Sequence, residues 1–288
     1  MRFFSTKYVV FLLLLFFTIF GIINKKVLYE EKKTMEELNL FSYAFCGTQE
    51  GFARMLEYLA SIAENEKWSF DEEENSILHK YIRGTFKQCH AQNKILISGD
   101  GQYSCFNTGL LTENGNDIVA MFDKNKWSDA QEWHLIGFKD ITERQFLNAF
   151  SCIPEIATYT DNYEELYFNP NYPIVLSTDH ILDDNWERIK EVVPISKSIV
   201  KRLLVGVVEE AKKRIRRNMR LVIPQFYNNQ IMYLLPIQIP IDDDKFETMA
   251  LAVELTTTKQ YRANTIFTKA MAYEKARLLM KPESNWLM

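Results

Sequence analysis

The chain has 288 residues, of which 47% are hydrophobic and 25% are charged, and its formal net charge is −4. This composition excludes a disordered chain and provides enough apolar residues for a packed core. The acidic balance also excludes a generally basic coat for nucleic acid. The four cysteines have neither CxxC nor zinc-finger spacing, so we expect free thiols and a folded part in the cytoplasm.

An apolar segment near the N-terminus precedes the globular pattern. Residues 8–23 are broken only by Thr18 and Gly21, and basic residues flank them on both sides. A membrane-spanning helix needs about 20 apolar residues, so the segment is slightly short, and it lacks a small-residue cleavage site. We predict that residues 1–34 are a signal anchor and charged linker that hold a cytoplasmic domain at the inner membrane. Translation from Met35 is the alternative.

The first half of the globular part combines helices with a strand meander. Apolar residues at helical spacing predict helices over residues 51–64 and 71–92. Residues 95–138 then contain short apolar runs separated by Asp-Gly and Asn-Gly pairs. Such turns between apolar runs are typical of antiparallel hairpins. Thr142 and Gln145 have the spacing of a capping box, which predicts one further helix.

The second half is organised around residues 196–240, which predict a long helix followed by a tight hairpin. A short helix that begins at residue 184 precedes this stretch, and a strand over residues 248–256 and a helix over 265–279 follow it. Helices and mostly antiparallel strands occur in blocks, so we predict one α+β domain over residues 35–288. Apolar residues at intervals of three and four predict the buried stripe of the long helix: Ile199, Leu203, Leu204, Val207, Val208, Ala211 and Ile215.

Basic residues crowd the end of this long helix. Residues 196–220 contain nine Lys or Arg and two Glu, a local charge of +7 that leaves −11 on the rest of the chain. A basic patch on an acidic body suits a discrete anion better than a duplex. The alternative is a solvated helix end whose cations complement the helix dipole. The candidate anion-binding residues here are Lys213, Arg214, Arg216 and Arg217.

His180 is the histidine with acidic neighbours, since Asp179 and Asp183 lie close to it in sequence. Carboxylates around an imidazole can hold a divalent cation or orient a general base. A metal-dependent hydrolase or nuclease with these three catalytic candidates is therefore one alternative function. Aspartate is also a preferred helix N-cap. No catalytic motif such as HExxH is present, so we expect a non-catalytic domain without metal or cofactor.

Several ordered motifs resemble the bacterial domain-of-unknown-function family 3825 over residues 38–287. The motifs are Tyr81-Ile82-Arg83, Phe106-Asn107-Thr108-Gly109-Leu110, Asn185 with Arg188, Pro224-Gln225-Phe226-Tyr227, Tyr261 with Thr265, and Met271-Ala272-Tyr273 with Ala276-Arg277. The resemblance implies no established reaction. Members of the family are often joined to small nucleic-acid-binding modules, which implies an RNA-linked setting.

Polar residues within these motifs have no obvious packing role. Arginine forks onto phosphate or carboxylate, and tyrosine stacks on bases; buried polar links between helices and sheet are the alternative. We predict a ligand-binding or regulatory domain that binds RNA or a nucleotide-like anion. A membrane-tethered protein-interaction module is the remaining alternative. The candidate ligand-binding residues are Arg83, Asn107, Thr108, Gln225, Tyr227, Tyr261, Tyr273 and Arg277.

Overall fold

The computed structural model describes residues 39–70, 73–126 and 130–287. The apolar segment at residues 8–23 and its linker lie outside the described residues, so the predicted anchor stays a prediction. Within the described ranges, no helix has both the length and the apolar character needed to cross a membrane.

The first half of the chain forms a five-stranded sheet, sheet 1, with strand order β1-β5-β4-β3-β2. Its strands are β1 (Ala44–Phe45), β2 (Leu96–Ile97), β3 (Tyr103–Leu111), β4 (Asp117–Lys124) and β5 (Trp133–Asp140). The helices of this half are α1 (Leu40–Tyr43), α2 (Gln49–Ile62), α3 (Ser76–Ala91) and α4 (Arg144–Ala149). Helices α2 and α3 bury their apolar stripes against β5 and β3.

The second half forms another five-stranded sheet, sheet 2, with strand order β6-β10-β9-β8-β7. Its strands are β6 (Ile174–Val175), β7 (Ile223–Tyr227), β8 (Gln230–Asp242), β9 (Lys245–Leu255) and β10 (Tyr261–Phe267). The helices of this half are α5 (Thr178–Val192), α6 (Lys197–Arg217) and α7 (Lys269–Arg277). Helices α5 and α6 pack on one face of sheet 2, and α7 contacts the other face and also α3.

The architecture confirms the predicted α+β class. Both sheets are antiparallel except at one edge, where β1 pairs with β5 and β6 pairs with β10 in parallel. The predicted turn between β7 and β8 is also present, because Asn228 and Asn229 have φ values of 49° and 58°. Positive φ at both central residues matches the twist of the flanking strands.

Three secondary-structure predictions were wrong in detail. Helix α5 begins at Thr178, six residues before the predicted start at residue 184. Residues 261–267 form strand β10, although residues from 265 onwards were predicted to be helical. In α6, Ile199 is 47% exposed and Val200 is fully buried in its place.

The alternating side chains of β8 connect the two halves of the molecule. Leu234 and Leu235 are adjacent and both are fully buried. Leu234 lies in an apolar cluster that contains α2, α3 and sheet 1 residues, whereas Leu235 packs with α5 and α6. Successive side chains of a strand point to opposite faces, so one strand contributes to both cores.

Candidate functional site

The α7 side of sheet 2 presents a row of side chains from four strands. Strand pairing places Gln225 of β7 beside Met232 of β8, and Ala252 of β9 beside Thr265 of β10. Residues paired across an antiparallel ladder lie on the same face, as do residues two apart in one strand. These four side chains therefore lie along one face of the sheet.

A β-bulge in β10 shapes this row. The pairing with β9 shifts by one residue between Ala263 and Thr265, so Asn264 is the extra residue. Its side-chain amide donates to Glu254 at 2.9 Å. A bulge bends the strand and changes the direction of nearby side chains, and Asn264 here reaches the same cavity as Thr265.

These side chains line a cavity of 450 Å³, which we call the sheet 2 pocket. Its charged lining residues are two cations, Arg188 of α5 and Lys275 of α7, and no carboxylate is among the lining residues in the described part of the chain. The sheet 2 pocket therefore has a positive local charge. The full lining comprises Arg188, Gln225, Tyr227, Met232, Ala252, Asn264, Thr265, Phe267, Met271 and Lys275.

Arg188 is held at the pocket by contacts on one side of its guanidinium. Its Nη1 donates to the carbonyl of Ile266 at 3.0 Å and lies 3.5 Å from Thr265 Oγ1. Its Cζ is 5.7 Å from the centroid of the Phe267 ring, within cation–π range. The N–H groups on its Nε and Nη2 make no hydrogen bond within the described ranges. Arg188 is therefore held in place through Nη1 and still has donors available for a ligand.

Gln225 is the most unusual lining residue, because it is only 3% exposed and yet its amide forms no side-chain hydrogen bond with any described residue. Its amide atoms are not among the fully buried side-chain atoms without a partner in the described residues, so they keep contact with the solvent of the cavity they line. The amide of Gln225 borders the sheet 2 pocket. A ligand in this pocket would supply the missing partners.

Lys275 and Tyr227 form the mouth of the sheet 2 pocket. The side chain of Lys275 is 40% exposed and lies 3.8 Å from Glu274, which itself contacts Lys80 at 2.6 Å. Tyr227 ends β7 and is 51% exposed. The mouth thus combines a weakly paired cation with an accessible aromatic ring.

Arg277 lies in a second cavity of 270 Å³, which we call the Arg277 pocket. Its Nε donates to Glu66 Oε1, and the two side chains are 9% and 4% exposed. The guanidinium Cζ lies 4.4 Å from the Tyr81 ring centroid and 5.0 Å from the Trp68 ring centroid. Tyr273 is buried and donates its hydroxyl to the same Glu66 oxygen at 3.2 Å.

Electrostatics keep the Arg277 guanidinium charged. Burial by itself lowers the pKa of this group, but Tyr81 and Glu66 outweigh burial and raise the pKa above its usual value. Burial raises the pKa of the Tyr81 hydroxyl, which donates to the Thr108 carbonyl at 2.8 Å. The Arg277 pocket is therefore built around a buried pair of Arg277 and Glu66 in which the guanidinium stays charged.

Other predicted ligand-binding residues have structural contacts. Asn107 donates to Asp117 at 2.9 Å and to the carbonyl of Pro154 at 3.1 Å. Thr108 donates to the Ile118 carbonyl at 2.6 Å. These bonds lie at the bulge of β3, so they satisfy backbone and side-chain groups inside sheet 1.

Arg83, Asn107 and Arg277, three of the candidate ligand-binding residues, do not line one pocket together. Arg83 is exposed, with its Cζ 5.5 Å from the Phe41 ring centroid, and it lines neither cavity. Tyr261 is buried, and its hydroxyl oxygen accepts the backbone N–H of Asn169 at 2.8 Å. Of the predicted ligand-binding set, Gln225 and Tyr227 share the sheet 2 pocket and Arg277 lines the other.

The basic residues at the end of α6 are exposed and separate from both pockets. Arg214 pairs with Glu210 at 2.5 Å. Arg216 reaches the Pro170 carbonyl at 3.4 Å, and Arg217 donates to the carbonyl of Lys213 at 2.7 Å. The local excess of positive charge is thus partly neutralised within the helix.

The carboxylates near His180 connect α5 to α6. Asp183 accepts from Lys197 at 2.7 Å, and Asp179 pairs with Lys201. Hydrogen bonding and the charge of Lys197 lower the pKa of Asp183. Within the described ranges, no three His, Cys, Asp or Glu side chains are grouped as ligands for a metal ion.

Sequence reasoning missed four polar residues of the sheet 2 pocket: Arg188, Asn264, Thr265 and Lys275. Two of them were within reach of sequence reasoning, because Arg188 and Thr265 belong to the family-like motifs. Asn185 lies on α5 with Arg188, and its Oδ1 accepts the Thr265 hydroxyl at 2.5 Å. Lys275 follows from the helix alone, because it lies on α7 one turn after Met271.

Comparison with known proteins places the chain in a family. The protein-family model described as Domain of unknown function (DUF3825) matches residues 59–286. The chain belongs to the DUF3825 family. This confirms the resemblance noted in the sequence, and the matched range includes every lining residue of both pockets. Neither the curated proteins nor the solved structures contain a match to the DUF3825 chain.

Proposed function

We propose that this DUF3825 domain is a binding module for a small anion that carries a flat apolar group, as a mononucleotide does, and that the sheet 2 pocket holds it. The observation that carries the proposal is the Gln225 amide, which forms no side-chain hydrogen bond with a described residue and lines a cavity with two cations and, within the described ranges, no lining carboxylate. The cavity of 450 Å³ falls within the range of small-molecule sites, about 300–1,000 Å³.

The two ends of such a ligand match different parts of the pocket. Arg188 has open N–H donors and Lys275 a weakly paired ammonium, which together suit a phosphate or carboxylate. Phe267, Met271 and Met232 provide an apolar surface for a planar ring. The amide of Gln225 can both donate to and accept from ring substituents.

Replacing Lys275 with glutamine is expected to weaken adenosine monophosphate binding about tenfold, because a hydrogen bond to a charged group contributes about 1.5–3 kcal/mol. The matched control is Lys213→Gln, which makes the same charge change in the exposed basic cluster and should leave the dissociation constant within about twofold. Isothermal titration of full-length protein measures both values. Rising salt should weaken binding, because it screens the ligand charge.

Adenosine and inorganic phosphate test the apolar contacts and the anion contacts of the proposed ligand separately. Each should bind more weakly than adenosine monophosphate, since each lacks one set of contacts. Equal loss of affinity in the Lys275 and Lys213 variants would contradict the assignment of the site. Absence of salt-sensitive binding by any of the three ligands would contradict the proposed function itself.

Single-stranded RNA at the basic end of α6 is the second candidate. The exposed side chains of Lys213, Arg216 and Arg217 support it, because they are unpaired by carboxylates in the described structure. Phosphate contacts from such residues give salt-dependent affinity. RNA binding weakened by Lys213→Gln but unaffected by Lys275→Gln would favour this candidate.

A further inference from the structure

The Arg277 pocket has no lining residue in common with the sheet 2 pocket. It is bordered by buried polar side chains of different elements, including Glu66, Thr85 of α3 and Tyr159 of the long loop. Its charged lining residues include Arg277 and Glu66, which form an ion pair with no net charge. The pocket therefore differs from the positively charged sheet 2 pocket in the ligand it favours.

Two buried hydroxyl groups in the Arg277 pocket have no hydrogen-bond partner among the described residues: Thr85 Oγ1 and Tyr159 Oη. Thr85 is only 1% exposed. It lies close to the hydroxyls of Tyr81 and Tyr159, but no bond of proper geometry joins them. Burial raises the pKa of Tyr159, so its hydroxyl remains protonated and able to donate.

The Arg277–Glu66 ion pair also has hydrogen-bonding atoms that its own bond does not use. Arg277 binds Glu66 through Nε and Oε1, and Tyr273 donates to the same oxygen. Apart from a close approach of the guanidinium to the Tyr81 hydroxyl, the Nη atoms of Arg277 and Oε2 of Glu66 make no hydrogen bond of standard geometry within the described part of the chain. A pair of donors thus lies next to an acceptor, with two hydroxyls nearby.

We propose that the Arg277 pocket binds a small uncharged heterocycle that presents a carbonyl beside an N–H, the edge that uracil carries. The carbonyl would accept from Arg277, the ring N–H would donate to Glu66, and the hydroxyls of Thr85 and Tyr159 would bond the remaining polar atoms. A charged ligand is disfavoured, because it would leave a net charge buried beside an already neutral pair. This site is independent of the proposed function of the sheet 2 pocket.

Uracil, thymine and 1,3-dimethyluracil test the pattern of hydrogen bonds. Thymine keeps both N–H groups and adds one methyl group, so it controls for ligand size, whereas dimethyluracil lacks both N–H groups. We expect uracil and thymine to bind full-length protein and dimethyluracil to bind at least tenfold more weakly, measured by ligand-observed NMR. Equal binding of all three compounds, or no binding of uracil, would overturn the proposal; in the latter case water alone fills the cavity.

A double variant, Thr85→Val with Tyr159→Phe, tests the two hydroxyls directly. We expect uracil affinity to fall about tenfold, since each neutral hydrogen bond contributes about 0.5–1.5 kcal/mol. The ligand-free variant should melt at the same temperature as the parent protein or a few degrees higher, because removing unpartnered buried hydroxyls relieves a desolvation cost. A lower melting temperature, or unchanged uracil affinity, would contradict the assignment.

Discussion

Replacing Arg277 with methionine is expected to lower the free energy of unfolding by about 3–5 kcal/mol, because it leaves the Glu66 carboxylate buried without its cation. Both partners are deeply buried, with side-chain exposures of 9% and 4%. The substitution also removes the cation that lies over the rings of Tyr81 and Trp68. Urea unfolding of the full-length protein measures the loss.

Two further variants distinguish the buried pair from other effects. Arg214→Met breaks an exposed pair with Glu210, whose side chains are 45% and 55% exposed, and should cost less than about 1 kcal/mol. A double variant, Glu66→Met with Arg277→Met, should recover most of the loss, because apolar side chains replace a buried pair at little cost. Similar losses for Arg277→Met and Arg214→Met would contradict the burial of the pair.

The second large effect concerns the two faces of β8. Leu234→Ala and Leu235→Ala are each expected to lower the free energy of unfolding by about 2–5 kcal/mol, since they remove fully buried side chains and leave cavities. The two residues form a matched pair, because they are adjacent but belong to different apolar clusters.

The shape of the unfolding curves of these variants tests the predicted single domain over residues 35–288. Because β8 contributes to both clusters, each variant should unfold in one transition at a lower urea concentration, with an unchanged slope. Two separate transitions, with only one of them shifted by each substitution, would show that the clusters unfold independently and would contradict the single domain.

Sequence patterns predicted the elements whose local chemistry is strong. The hairpin of β7 and β8 follows from two asparagines that tolerate positive φ. Gly101 and Gly115, with φ values of 69° and 78°, complete the Asp-Gly and Asn-Gly turns of the meander. The long helix α6 also follows from its apolar period, although its burial begins at Val200 and not at Ile199.

Strand β10 was not predictable from alternation, and this omission hid part of the candidate site. The bulge at Asn264 interrupts the period of two, so Ala263 and Thr265 do not continue one pattern of apolar and polar residues. Ile266 then matches the apolar spacing of Ala270 and Met271 in the helix that follows. The predicted capping box located helix α4 but not its first residue. Asp140 accepts the backbone N–H of Thr142 at 2.7 Å, and α4 begins at Arg144 without a side-chain cap.

The candidate site depends on contacts between residues far apart in sequence. Arg188 meets β10 through the Ile266 carbonyl, 78 residues away. Gln225 was selected from a family-like motif, but only the fold shows that its amide lacks a partner beside two cations. The spacing of residues in the sequence cannot predict which distant residues meet in the fold. The family-like motifs identify some of the pocket residues, but not their contacts.

Methyl-labelled methionines distinguish the candidate sites in one experiment. Met232 and Met271 line the sheet 2 pocket, and Met280 lines the Arg277 pocket. Met219 follows the basic end of α6 and is 39% exposed. Met249 is fully buried among the residues that pack with α5 and α6, so its signal is an internal control.

Titrating adenosine monophosphate into full-length protein with carbon-13 labelled methionine methyl groups is the most direct test of the central claim. The sheet 2 assignment predicts that the signals of Met232 and Met271 shift with ligand concentration while those of Met219 and Met249 stay fixed. A shift of Met219 alone, or no shift at Met232 and Met271 at saturating ligand, would contradict it.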